Sequence, residues 1–311
     1  MEFASCLGRF RDAQVRDLVW AMAAPGLLAD AEWIIPDGEC QLLLSRAMPQ
    51  LLALDRQPEA LHAWIAARNP HRLGRYFEVL LGYWFTYLID TAWFAANRIV
   101  KSGRNVTGEF DLLWCDSTGG NCQHWEVAVK FYLQVDAAAG FAGYVGPMLH
   151  DRLDLKVTQL HDKQLQLSQT PAGAAALAEI LPASAAGVRA RALLKGWLFY
   201  PAQHMAAPAT GISAAHLAGW WMRWSAADFC LPPGLRWLVL DRLHWLSPAG
   251  TADTPDLLTE SECMTLLAAH FAAGAAPLLL AGLDLQTTGW QEATRGFIVP
   301  PAWGEDGAIL L

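Results

Sequence analysis

The chain has 311 residues, of which 54% are hydrophobic and 17% charged, and its formal net charge is −8. That length and apolar content suffice for a substantial core in one large or two ordinary domains, which excludes a disordered chain. The acidic balance argues against broad, sequence-independent wrapping of nucleic acid, so any phosphate binding has to come from a local basic patch.

The remaining totals narrow the class further. Six cysteines (6, 40, 115, 122, 230 and 263) occur without a Cys-x-x-Cys pair, so they read as reduced thiols of a cytoplasmic protein and not as a zinc site, although Cys115 and Cys122 sit close in sequence. Arg9, Arg11, Asp12, Arg16 and Asp17 interrupt any signal-peptide apolar run. The apolar stretch Leu266–Leu283 contains His270 and Pro277 and divides into a helix end and a strand, so no membrane partner is expected. No nucleophile elbow, P-loop or dinucleotide fingerprint is found.

In chain order, residues 1–69 read as a helical N-terminal region, with apolar residues three and four apart over Gln14–Met22 and Gln41–Leu54. Asn69-Pro70 reads as a helix start, Asn as N-cap and Pro at the first position, leading to a helix that carries Glu78 and ends near Asp90. A strand near Phe94–Lys101 follows, then two charged strands, Gly108–Trp114 and His124–Leu133. A helix is expected from about His150 to Leu167, a connecting stretch over Pro171–Gly187, and a strand at Leu193–Tyr200. Residues 201–311 read as an α+β region: a helix over Ala214–Trp224, strands near Leu235–Leu240 and Leu243–Leu246, a helix over Glu260–Ala273, and strands near Pro277–Leu285 and Trp290–Val299.

The two charged strands hold the chemistry. Side chains alternate along a strand, so Glu109 and Asp111 share a face, as do Glu126 and Lys130, while Trp125, Val127, Val129, Phe131 and Leu133 form an apolar back. Charges on a strand with a core-facing back must be paired, hydrated or bound to metal. His124 shares the face of Glu126 and could be a ligand or a hydrogen-bonded structural histidine. Arg68, His71, Arg72 and Arg75 cluster at the expected helix start, where positive charge opposes the helix dipole unless it binds phosphate together with the free N–H groups. Arg75 and Glu78, three apart, can pair locally.

The order helix–strand–strand–strand–helix–strand, with Asp111 on the second strand and Glu126 and Lys130 on the third, resembles the core of the PD-(D/E)xK nuclease superfamily over about residues 70 to 200. More closely, LGRYFEVLLGYWF (73–85), GEFDLLW (108–114), HWEVAVKFYL (124–133) and DRLDLKVTQL (151–160) resemble the bacterial family called domain of unknown function 1853 over most of the chain. The resemblance implies an α/β (α+β) fold with a restriction-endonuclease-like αβββαβ core at 70–200, flanked by the helical 1–69 and the mixed 201–311. It also implies a phosphodiester hydrolase dependent on Mg²⁺ or Mn²⁺ and acting on nucleic acid, DNA first. Carried over, Asp111 is the metal-binding aspartate and Lys130 the lysine that assists water attack. Glu126, Glu109 and Glu78 are the further carboxylates, and Lys156 or Gln159 is the polar contribution of the following helix, with Arg72 and Arg75 as phosphate contacts.

One departure weakens the match. The acid of the superfamily pattern stands two residues before the lysine, where this chain has Ala128; Glu126 stands four before, about 13 Å of strand from Lys130. Bland alternatives stay open beside the catalytic one: a structural Glu126–Lys130 pair, Glu78 as a helix-surface carboxylate, and Trp220, Trp221 and Trp224 as core residues and not base-stacking platforms. A non-catalytic binding or scaffold protein with a degenerate nuclease-like fold is the runner-up function.

Overall fold

The computed structural model describes residues 3–203, 207–225, 231–251, 257–287 and 289–305. Five helices come first: α1 (Phe3–Leu7), α2 (Ala13–Ala23), α3 (Asp37–Arg56), α4 (Glu59–Arg68) and α5 (Leu73–Tyr83). Strands β1 (Thr91–Ser102), β2 (Asn105–Asp116), β3 (Cys122–Gln134) and β4 (Tyr144–Val145) follow, then α6 (Leu153–Gln159), α7 (Pro171–Ile180) and β5 (Val188–Pro201). The chain continues through β6 (Leu217–Arg223), β7 (Arg236–Leu240), β8 (Gly250–Thr251), α8 (Glu260–Ala272), β9 (Leu278–Gln286) and β10 (Gly289–Val299). The fold is mixed α/β. No helix among the described residues is long and apolar enough to cross a membrane.

Two compact units share these elements, and each is discontinuous in sequence. The first comprises 1–130, 156–196 and 211–216. In it β1, β2, β3 and β5 lie side by side, with β1–β2 and β2–β3 antiparallel. Gly196 in β5 has a φ of 146°, and a Cβ there would stand 1.7 Å from the Lys130 carbonyl oxygen, so only glycine lets β5 approach β3. The helices bury their apolar faces under Trp20, Phe77 and Trp84, and the Trp84 indole donates to the Leu18 carbonyl at 2.7 Å. Buried cations of this unit are paired: Arg191 makes a bidentate bridge to Glu39, and Lys195 bonds Asp37 at 2.9 Å.

The second unit comprises 131–155, 197–210 and 217–311. There β6 runs parallel to both β5 and β10, and β9 is antiparallel to β10 and β7. Helix α8 opens with a capping box in which Thr259 and Glu262 satisfy each other's backbone donors, as its sequence start suggests. Arg295 is buried, chelated by Glu292 and bonded to the carbonyls of Trp245 and Ser247, with its guanidinium over Trp197.

Several expectations need correction. Ala214–Trp224 is not a helix; its core is strand β6, with Trp220 against Trp237 and Trp224 stacked on Phe271, so these tryptophans pack the core. Asn69 does not start a helix but ends α4 in the left-handed conformation, φ 40°, and α5 begins at Leu73. Pro171–Ile180 is helix α7, capped by Thr170, and not a connection; Arg242–His244 is a short 3₁₀ turn where a strand was expected. Cys115 and Cys122 are joined as a disulfide across β2 and β3, not reduced. Cys6, Cys40 and Cys263 are buried thiols, and Cys230 lies outside the described residues.

Candidate functional site

The site grows out of the β2–β3 pairing. The register that sets Leu112 against Trp125 puts Asp111 opposite Glu126, and the register of β1 with β2 puts Asn97 opposite Asp111 on the other side. The paired stretch ends at Leu112 and Trp125, so the two carboxylates stand one residue beyond it, on strands whose apolar backs are held by the core. Asp111 accepts a hydrogen bond from the Val127 amide at 3.0 Å.

Glu126 has no exposed surface. One oxygen accepts from His124 Nε2 at 2.6 Å and the other from Gln164 Nε2 at 2.5 Å. Gln164 in turn accepts from Lys156 Nζ at 3.1 Å, so the ammonium acts on Glu126 through an amide. Burial is the main cause that pushes the Glu126 carboxyl up to about 7, with Lys156 and its hydrogen bonds opposing. Burial, then the charge of Glu126, pushes Asp111 up to about 8. Two desolvated carboxyls side by side cannot both be charged at little cost, so near neutral pH they hold a proton between them unless a cation takes its place.

His124 is held neutral, its pKa lowered to about 4 by burial. Its Nδ1 finds no partner, so wherever Glu126 is ionised it is Nε2 that carries the proton and donates it. The ring packs edge-on against Phe110 at 4.8 Å between centroids. Of the two roles open to this histidine, the hydrogen-bonded one fits these contacts.

Asp111 opens into a cleft of about 430 Å³, whose wall includes Glu109, Gln159, Lys163 and Gln164. Of the residues singled out from the sequence, Glu109, Asp111 and Gln159 meet there, and Glu126 and Lys156 join through Gln164. Glu78 on α5 is within electrostatic reach of Asp111, but its carboxylate is engaged by Arg75 at 2.7 Å and Asn97 at 3.2 Å, the local pairing the three-residue spacing suggests. Arg75 thereby has its charge committed to Glu78 and Asn97. Arg72 is exposed as the N-cap of α5, and Arg68 lies over the Trp64 ring. Lys130 is half-buried on β3, four residues beyond Glu126, with Ala128 buried between them. Neither Lys130, Arg72 nor Arg75 lines the cleft.

Sequence reasoning missed Gln164, Lys163 and Asn97. Gln164 closes a π-helical turn, Leu160–Gln164, that continues α6 and shifts the side-chain period away from 3.6 residues. Asn97 takes a φ of 51° inside β1, which no pattern of strand residues signals.

No group of three or more His, Cys, Asp or Glu among the described residues is arranged to hold a metal ion. Asp111 and Glu126 supply two carboxylates, the number Mg²⁺ commonly takes from a protein, but both Glu126 oxygens already accept hydrogen bonds. A family model described as "Domain of unknown function (DUF1853)" matches residues 16–299. No curated protein matches the chain, and no solved structure does.

Proposed function

We propose, for a chain that belongs to the DUF1853 family, a divalent-cation-dependent hydrolase of phosphodiester bonds in nucleic acid, DNA first. The observation that carries this reading is the desolvated Asp111–Glu126 pair, with Asp111 on the wall of a cleft and Glu126 enclosed behind it. The helix–strand–strand–strand order around it resembles the PD-(D/E)xK core, and a restriction-endonuclease-like arrangement of the first unit belongs to the same proposal.

Within this reading Asp111 and Glu126 would hold Mg²⁺ or Mn²⁺, which when bound supplies charge neutralisation at phosphate and activation of water. His124 and Gln164 fix the Glu126 carboxylate by taking one oxygen each. Lys163 and Gln159 offer the cleft wall a cation and an amide for the phosphate backbone. Lys130, four residues beyond Glu126 on β3, keeps in this reading the role the resemblance gives it, assistance to water attack. A cytoplasmic location goes with this reading, and the Cys115–Cys122 disulfide weighs against it, because cytosolic reductants keep thiols reduced.

A second reading, a non-catalytic binding or scaffold protein, has its own support. Glu126 is wholly enclosed, both its oxygens are already taken, and Ala128 stands where the superfamily's acid belongs.

The deciding experiment incubates the purified chain with labelled single-stranded, duplex and branched DNA and with RNA, in Mg²⁺, Mn²⁺ or EDTA. Cleavage that disappears in EDTA and in Asp111→Asn and Glu126→Gln supports the hydrolase. Folded protein that cleaves nothing in either cation supports the binding protein.

A further inference from the structure

Strands β1 and β2 extend beyond the core as a two-stranded ribbon. Its base is anchored: Val100 and Phe110 are fully buried in a cluster with Leu113, Leu167 and Leu177, and Gly108 lies so close under Leu167 that a Cβ would meet that side chain at 2.8 Å. Past that point every residue from Lys101 to Thr107 is exposed. Successive strand residues face opposite ways, so exposure without alternation means that neither face of the tip packs on the protein. The ribbon turns at Gly103, whose φ of 61° supplies the left-handed geometry a two-residue hairpin link requires.

The chemistry of this tip is one-sided. From Arg98 to Glu109 the ribbon carries three cations, Arg98, Lys101 and Arg104, against one acid, Glu109, which lies across from Ile99 at its base, in a chain of net charge −8. Among the described residues none of these three side chains makes an ion pair or a hydrogen bond. Beside them Ile99 and Val106 are 55% and 63% exposed, an uncommon setting for β-branched apolar side chains. A further irregularity, a register shift between Val100 and Lys101, adds twist at the point where the ribbon leaves the core.

We propose that this ribbon is an arm that grips duplex DNA, with Arg98, Lys101 and Arg104 on phosphates and Ile99 and Val106 against the groove. The inference rests on the nucleic-acid reading of the cleft and extends it. Charge complementarity selects a polyanion, and the major groove, about 12 Å wide, admits a two-stranded ribbon. The ribbon belongs to the same strands as the site. Seven residues separate Arg104 from Asp111, about 24 Å along a strand, or about seven base-pair steps of duplex. The arm therefore engages DNA about that far from the bond presented to Asp111, and duplex long enough to span both is the preferred ligand.

The test measures binding of the full chain in EDTA to a labelled duplex of roughly 30 base pairs, to one of its strands alone, and to phosphatidylserine vesicles, between about 50 and 200 mM salt. The variants are R98A/K101A/R104A, R104A alone and I99S/V106S, each with its melting temperature recorded. The triple variant is expected to lose at least about tenfold in duplex affinity, with a log–log salt slope smaller by about 2 to 3; R104A alone lowers the slope by about 0.9. I99S/V106S weakens duplex binding and leaves the slope unchanged. An unchanged slope in R104A and in the triple variant overturns the proposal, as does binding to vesicles but not duplex, or tighter binding to the single strand. Ribbon-dependent duplex binding without cleavage in Mg²⁺ or Mn²⁺ keeps the arm and removes the hydrolase. Cleavage that the triple variant leaves intact on long duplex does the reverse.

Discussion

Asp111 and Glu126 stand side by side where the pairing of β2 with β3 ends, one half-buried at the cleft and the other fully enclosed behind it. The Val127 amide orients Asp111, while His124 and Gln164 orient Glu126. The geometry is set by three donors, two from β3 and one from the turn after α6. What the pair lacks is solvation, since Lys156, bonded to Gln164, offsets only part of the cost of burial at Glu126.

That lack makes stability depend on pH. Both carboxyls titrate in the folded protein far above their unfolded values, so the fold retains protons that the unfolded chain has lost. Their contribution is fully present below about pH 4 and is lost as pH rises through about 7 and about 8. The metal-free melting temperature is expected to fall between about pH 5 and 8 and to level off above, with a slope of up to about 1.4 kcal/mol per pH unit for each retained proton. Asp111→Asn, which cannot ionise, should flatten that slope; a wild-type melting temperature constant over this range would contradict it. His124 acts on the other side. Its folded pKa of about 4 lies below the unfolded value, so stability drops as pH falls from about 6.5 toward 4.

Gln164→Ala and His124→Ala each remove one donor from an enclosed carboxylate. A buried acceptor left without its donor costs about 1–3 kcal/mol. Denaturant unfolding at pH 8, where Glu126 is most charged, should show this loss for both variants, and a smaller one at pH 5. Equal losses at the two pH values would mean that the donors serve packing alone.

The disulfide closes a short loop, with Cys115 and Cys122 seven apart. Loop-closure entropy for that length corresponds to about 2–3 kcal/mol. Cys122→Ser should lower the denaturant midpoint accordingly, and dithiothreitol should lower wild type to the same value while leaving the variant unmoved. A variant as stable as oxidised wild type would remove the cross-link from the account of how β2 and β3 are held.

Gly196→Ala tests the approach of β5 to β3. The added methyl would stand 1.7 Å from the Lys130 carbonyl, at a φ that L-residues rarely adopt, and neither backbone can yield cheaply. A loss above about 3 kcal/mol, or failure to fold, is expected in thermal and denaturant melts. A melting temperature within a few degrees of wild type would show that the strands can part without cost.

Much of this was legible in the chain because β2 and β3 obey a period of two. Alternation alone placed Glu109 with Asp111 and Glu126 with His124, and it made Glu126 a carboxylate that had to be paired. Strand β6 was not legible. It is flanked on both sides by parallel partners, so LAGWWMR shows no polar face, and Trp220 and Trp224 at a spacing of four mimic a helix. Helix α7 had the start signal Thr170-Pro171, outweighed in the reading by its alanines. Gln164 was hidden by the π-helical turn, and the Cys115–Cys122 bond by the absence of any sequence rule that tells two nearby thiols from a bridge.

The central claim is that Asp111 and Glu126 form a cation site, and Mn²⁺ titration calorimetry in buffers of different ionisation enthalpy measures it most directly. The account predicts binding near pH 7 accompanied by release of about one proton, the one the pair holds without metal. In Asp111→Asn both the heat and the proton should vanish. Wild-type protein that is folded and binds no Mn²⁺ at pH 7 or above, or binds it with Asp111→Asn unimpaired, would contradict the account and leave the non-catalytic reading in its place.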